Sequence, residues 1–146
     1  MKKLSFTTTI HAPKEKVWDT MLNHGTYEQW TSVSWPDSTF EGRWEKGSSI
    51  KFFGQDKSGT LAEITELEKY DHVSATHTAV LLQGGAEDRD SDLAKGWIGS
   101  KEQYRFTEKD GITTLDVEIE TAPEWASMFE EGWPAALKKL KEISEK

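Results

Sequence analysis

The last quarter of the chain, Thr121 to Lys146 (TAPEWASMFEEGWPAALKKLKEISEK), constrains the fold more than any other stretch. Trp125, Met128, Phe129, Gly132, Trp133, Ala136, Leu137, Leu140 and Ile143 recur at helical spacing and form one stripe, with Glu and Lys on the opposite face. Thr121 with Glu124 fits a capping box, and Lys138, Lys139 and Lys141 gather toward the negative end of the helix dipole. Pro134 inside the pattern lacks the N–H that would bond Glu130, costs roughly 3 kcal/mol in a helix interior, and predicts a kink. A helix with so wide an apolar face needs a broad apolar surface to lie on. The residues before it read as a sheet that supplies one.

Lys3 to Ile10 alternates, with Leu4, Phe6, Thr8 and Ile10 on one face of a half-buried strand. Ala12-Pro13 ends it, and Val17, Trp18, Met21 and Leu22 predict a short helix over Lys14 to Leu22. Gly25 is expected to break this helix, with one more turn over Thr26 to Trp30. Trp35-Pro36-Asp37 reads as a turn or strand edge. Six strands follow: Thr39 to Trp44, Ser49 to Phe53, Thr60 to Leu67, His72 to Leu82, Trp97 to Thr107 and Ile112 to Glu120. Lys109-Asp110-Gly111 between two alternating runs is the strongest hairpin signal. Gln83 to Lys95 is the one long polar loop. Without βαβ alternation the class is α+β.

At 146 residues one domain, 1–146, is expected, burying roughly 70% of its unfolded surface. The net charge of −8 argues against nucleic-acid partners and anionic membranes, which need basic patches. No run approaches a membrane span, and the N-terminus has no apolar signal core, so an acidic cytoplasmic protein is the plain expectation. There is no cysteine. Asp88, Asp90 and Asp92 imitate the start of a calcium loop, but Leu93 and Gly99 stand where glycine and glutamate are required. His11, His24 and His72 have no metal-ligand spacing, and no cofactor or metal is expected.

Several stretches together resemble one family. Ile10-His11-Ala12-Pro13, with Glu15, Val17 and Trp18, is similar to the opening of START-like (SRPBCC) proteins. Tyr27-Glu28-Gln29-Trp30, Phe40-Glu41-Gly42, Gly47, and Gly132-Trp133-Pro134 followed by Leu137, Lys138, Leu140 and Lys141 resemble the branch named after activators of the heat-shock-protein-90 ATPase. The resemblance implies a helix-grip fold, in which a curved antiparallel sheet wraps a long C-terminal helix with a cavity between them. Members include lipid and hormone carriers, polyketide cyclases and co-chaperones, so fold alone does not fix function.

In such a grip, Trp125, Phe129 and Trp133 on the helix would meet Trp30 and Trp35 near the cavity, either as plain core or as pocket wall. Phe52 and Tyr104 join Trp30, Trp35, Phe129 and Trp133 as candidate lining. His77 shares a strand face with Val73, Ala75, Ala79 and Leu81, and Glu102 shares one with Ser100, Tyr104 and Phe106. Pairing Leu82 with Trp97 would set His77 directly opposite Glu102, ~5 Å apart between Cβ atoms, with Glu63 a third member if its strand has the matching phase. A buried structural pair or a ligand anchor is preferred to general acid–base catalysis, since no nucleophile, oxyanion hole or metal accompanies the pair. The preferred reading is a binding domain for a small hydrophobic or amphipathic molecule. The alternatives are a co-chaperone acting on a chaperone partner through its surface, in a stress response, and a cyclase or lyase using His77 and Glu102.

Overall fold

The computed structural model describes residues Met1–Lys146. Strand β1 (Lys2–Ile10) leads into helices α1 (Lys14–Leu22) and α2 (His24–Thr31), then strands β2 (Thr39–Gly42), β3 (Ser49–Phe53), β4 (Gly59–Glu68) and β5 (His72–Leu81). A two-residue strand β6 (Glu87–Asp88) and a short helix α3 (Asp92–Trp97) precede the hairpin of β7 (Lys101–Lys109) and β8 (Ile112–Thr121). A 3-10 turn at Pro123–Trp125 starts the closing helix α4 (Ala126–Ser144). The strands form one curved antiparallel sheet in the order β1-β8-β7-β5-β4-β3-β2, with β6 beside β5. The sheet grips α4, which is the helix-grip fold.

Alternation explains which sheet face is dry. Leu4 and Ile10 of β1 and Leu115, Val117 and Ile119 of β8 are buried, while Thr7 and Asp116 between them are exposed. Leu4 lies opposite Ile119, and Phe6 opposite Val117, so the two apolar rows merge. On α4 the buried positions are Ala126, Trp133, Ala136, Leu137, Leu140 and Ser144. Leu140 is fully buried, and each such side chain contributes about 1.5–3 kcal/mol on leaving water. Asp110 and Gly111, with φ of 54° and 78°, form the two-residue β7–β8 link. Positive φ at both positions matches the twist of the flanking strands.

Several boundaries differ from expectation. Thr121 does not cap the helix: it is the buried last residue of β8, paired with Lys2, and its hydroxyl donates to the Ala122 carbonyl at 3.2 Å. Strand pairing outcompetes the local cap, and α4 begins five residues later with no side-chain cap. The break between α1 and α2 falls at Asn23, which is extended (φ −78°, ψ 144°), and Gly25 lies within α2. Helix α4 continues through Pro134 as one element. Beside it, the Ser34 hydroxyl donates to the Gly132 carbonyl at 2.6 Å.

The segment from Gln83 to Lys95 is also more ordered than its polarity suggests. Asp88 accepts from the N–H groups of Asp90 and Ser91, each at 3.1 Å, and from the Ser91 hydroxyl. Ser91 Oγ in turn accepts from Ala94 N at 3.1 Å, capping α3. The acidic triplet is therefore turn chemistry. Trp97, expected to begin a strand, ends this helix instead.

Candidate functional site

Between the sheet and the first half of α4 lies a cavity of about 600 Å³, walled by 27 residues of which 16 are hydrophobic. Its inner end is made by Tyr27, Trp30, Tyr104 and Trp133, all at least nine-tenths buried. Its mouth carries Leu82, Leu93, Trp125 and Met128, which remain 38–45% exposed. The space thus has an exposed apolar rim and a buried aromatic floor.

Trp133 is the hub of that floor. Its ring centroid lies 5.6 Å from Trp35, 5.8 Å from Trp30, 6.0 Å from Tyr104 and 6.2 Å from Phe6. Phe129, one helical turn earlier, bridges Trp35 at 6.3 Å and Trp97 at 6.1 Å. Offset and edge-on contacts of this kind add to plain area burial. The Trp133 Nε1–H is buried and has no hydrogen-bond partner.

Strand geometry delivers the polar groups. A bulge in β5 leaves Thr78 unopposed, because Leu61 pairs with Ala79 while Ala62 pairs with His77. The extra residue lets both His77 and Val80 reach the cavity, where strict alternation would allow only one. His77 is tied to Ser100 by backbone and ring together: its N–H donates to the Ser100 carbonyl at 2.8 Å, and Nδ1 lies 3.1 Å from that oxygen and 2.9 Å from Ser100 Oγ. Ser100 Oγ donates its own proton to the Trp97 carbonyl at 2.6 Å. A carbonyl only accepts, so Nδ1 must carry the ring proton and Nε2 is left with its lone pair. Nε2 has no protein partner. Burial holds the imidazole below its ordinary pKa, opposed by the Glu102 charge and the Ser100 carbonyl.

Glu102 is half-buried on β7 and accepts a 2.6 Å hydrogen bond from the Tyr104 hydroxyl. Burial first, and the Glu102 charge second, push the phenols of Tyr27 and Tyr104 well above their usual range, so both stay protonated. Glu120, at the margin, accepts from Lys101 N at 2.9 Å. No lysine or arginine lines the cavity.

All eight residues singled out from the sequence sit on this one wall: Trp30, Trp35, Phe52, Phe129 and Trp133 among the aromatics, and His77, Glu102 and Tyr104 among the polar groups. Their mutual geometry differs from expectation. Ala75, not His77, lies opposite Glu102. The assumed pairing of Leu82 with Trp97 fails because α3 takes up Trp97 and shifts the register by two residues. His77 and Glu102 form no hydrogen bond: Ser100 and Tyr104 are their respective partners. Glu63 is exposed on the other sheet face and belongs to no cluster. Tyr27, Trp97, Leu82, Leu93 and Met128 also belong to the wall, and the sequence pattern does not single them out for it. Tyr27 is legible in the sequence, three residues before Trp30 on α2, whereas Leu93 and Trp97 are brought to the wall by α3, which the polar sequence around it does not announce.

Fold and cavity together define a helix-grip domain of the START-like class. The chain belongs to the family described as Activator of Hsp90 ATPase homolog 1-like protein, whose family model matches residues 11–145. Among solved structures, a protein from Mesorhizobium loti aligns with a TM-score of 0.74 at 17% identity, covering 97% of this chain and 96% of that one. The Aha1 dimer from Colwellia psychrerythraea gives 0.72 at 19% identity, covering 99% and 97%. DynU16, from the dynemicin biosynthetic locus, gives 0.73 at 16% identity, covering 100% of this chain and 48% of its own. At these identities the likeness concerns the fold. No protein of curated function matches the chain.

Proposed function

We propose that this domain binds a small amphipathic molecule in the cavity between the sheet and α4. The observation that carries the reading is the composition of one wall: an aromatic enclosure of about 600 Å³ with a short polar group of Tyr27, His77, Glu102 and Tyr104 at depth. That volume and that mixture, mostly apolar with a few convergent polar groups, are what small-molecule sites have in common. The apolar body of a ligand would lie among Trp30, Trp35, Phe129 and Trp133, and the polar group would fix its orientation.

Binding without turnover is the reading favoured by the hydrogen bonds. Ser100 Oγ gives its proton to a backbone carbonyl, and His77 Nδ1 presents a proton rather than a lone pair to it. The serine is therefore not activated as a nucleophile. Denaturing extraction of the purified protein followed by mass spectrometry should release a copurifying compound at near-stoichiometric amount. Thr60→Trp, which projects an indole into the cavity from β4, should abolish binding and leave the melting temperature nearly unchanged. Stimulation of a chaperone ATPase that persists in Thr60→Trp would instead favour a surface-acting co-chaperone.

A further inference from the structure

The cavity is lopsided in its hydrogen bonding. Glu102 reaches inward with one oxygen engaged by the Tyr104 hydroxyl, and the structure gives its other oxygen, Oε1, no protein partner. Two residues along β5 from its cross-strand neighbour Ala75, His77 offers the Nε2 lone pair, as the Ser100 network requires. The Cα separation from Ala75 to His77 is about 7 Å at strand rise. Tyr104 has already spent its proton on Glu102. Among the inner polar groups Glu102 and His77 present two acceptors, one of them an anion, beside the protonated Tyr27 hydroxyl, and no lysine or arginine lines the wall to neutralise the charge. The rings of Trp30, Trp35, Phe129 and Trp133 share the wall, and aromatic faces attract cations through the ring quadrupole.

We propose that the ligand is a cation: an amphipathic amine whose ammonium group sits against Glu102 and the His77 lone pair, with its apolar body among the tryptophans. This rests on the cavity being a binding site at all. An ammonium has several donors and no acceptor, which suits a carboxylate oxygen and an imidazole lone pair on one cavity wall. A carboxylate ligand would meet Glu102 as a like charge in a poorly solvated site, and an alcohol could satisfy the acceptors only in part.

The test is a matched series sharing one apolar body: 2-(biphenyl-4-yl)ethylamine, 2-(biphenyl-4-yl)ethanol and biphenyl-4-ylacetate, titrated calorimetrically at pH 7. The amine should bind about tenfold or more tighter than the alcohol, as a charge-assisted hydrogen bond does over a neutral one, and the carboxylate should bind weakest. Glu102→Gln, which keeps the shape, should bring amine and alcohol to within about threefold of each other while alcohol binding persists. Equal affinities across the wild-type series, or preference for the carboxylate, would overturn the charge assignment and leave the binding site standing. Failure of all three to bind, with no copurifying compound, would overturn the binding reading itself. The comparison in the wild-type protein decides the matter even if Glu102→Gln does not fold.

Discussion

The indole of Trp35 lies against Gly132 so closely that a Cβ added to the glycine would fall 2.7 Å from Trp35 Cζ2 and 3.0 Å from Cε2. Gly132 is one residue from the hub of the aromatic floor, and its carbonyl is held by Ser34. This contact joins the α2–β2 connection to the closing helix. Alanine normally stabilises a helix interior by about 1 kcal/mol relative to glycine. Here overpacking of roughly 1–3 kcal/mol opposes that gain. Gly132→Ala should therefore lower stability by up to about 2 kcal/mol in urea denaturation. In a Trp35→Leu background the same substitution should turn neutral or stabilising, and additive losses would contradict the contact.

His77 supplies a pH dependence with a definite sign. Its folded pKa is depressed by burial, while the unfolded imidazole titrates near 6.5. Between those values the unfolded chain binds more protons, so stability rises with pH. Acidification from about pH 7 to pH 5 should lower the melting temperature, and His77→Gln should flatten that slope. The carboxylates held low by partners, Asp56, Asp71, Asp88 and Glu145, lose their contribution only at lower pH, as they protonate. An unchanged slope in His77→Gln would place the titration elsewhere.

Tyr104 donates a short hydrogen bond to a carboxylate from a fully enclosed position. Tyr104→Phe keeps the ring against Trp133 and removes only the donor. The expected loss is about 1–2 kcal/mol, measured by thermal or chemical unfolding. Because the substitution leaves Glu102 with both oxygens unengaged, amine affinity should hold or increase even as stability falls.

Asp88 organises the stretch that carries Leu93 to the cavity mouth and the buried Trp97 to its wall. Asp88→Ala removes the acceptor for two backbone N–H groups and for Ser91, whose hydroxyl caps α3. Amide exchange should quicken from Asp90 to Trp97 while the β7–β8 hairpin keeps its protection. Ligand release should quicken in parallel. Uniform loss of protection across the sheet would mean that the segment is not a separate opening unit.

The parts of this fold legible in the sequence are those governed by local periodicity. β8 announces itself because one face is dry and the other wet, and Asp110-Gly111 announces its turn through the backbone conformation it needs. The helical stripe from Trp133 to Ile143 was equally plain. What local pattern could not carry was competition between elements: Thr121 has the chemistry of a cap, yet pairing with Lys2 claims it for a strand. Trp97 stands just before the alternating run of β7, yet the Asp88–Ser91 turn starts a helix that takes it. That single substitution of helix for strand shifted the β5–β7 register and separated His77 from Glu102. Alternation gives the faces of β1 and β8 but not that of β5 beyond His77, where the bulge puts Val80 at the cavity, and it gives no partners, since a partner depends on the whole sheet.

β1 contributes no residue to the cavity wall, yet it seats what does. Phe6 stacks on Trp133, Lys141 donates to the Thr9 carbonyl at 2.7 Å, and Glu145 accepts from His11 N at 2.8 Å. These are contacts between the two extremities of the chain, more than a hundred residues apart in sequence. Pairings of such long range are slow to form. During synthesis the sheet could assemble strand by strand, but the floor of the cavity would stay absent until the closing helix emerged and found the first strand. A nascent or trimmed chain lacking that meeting would have the polar residues and no chamber to hold them, so the cavity is completed only by the last step of folding.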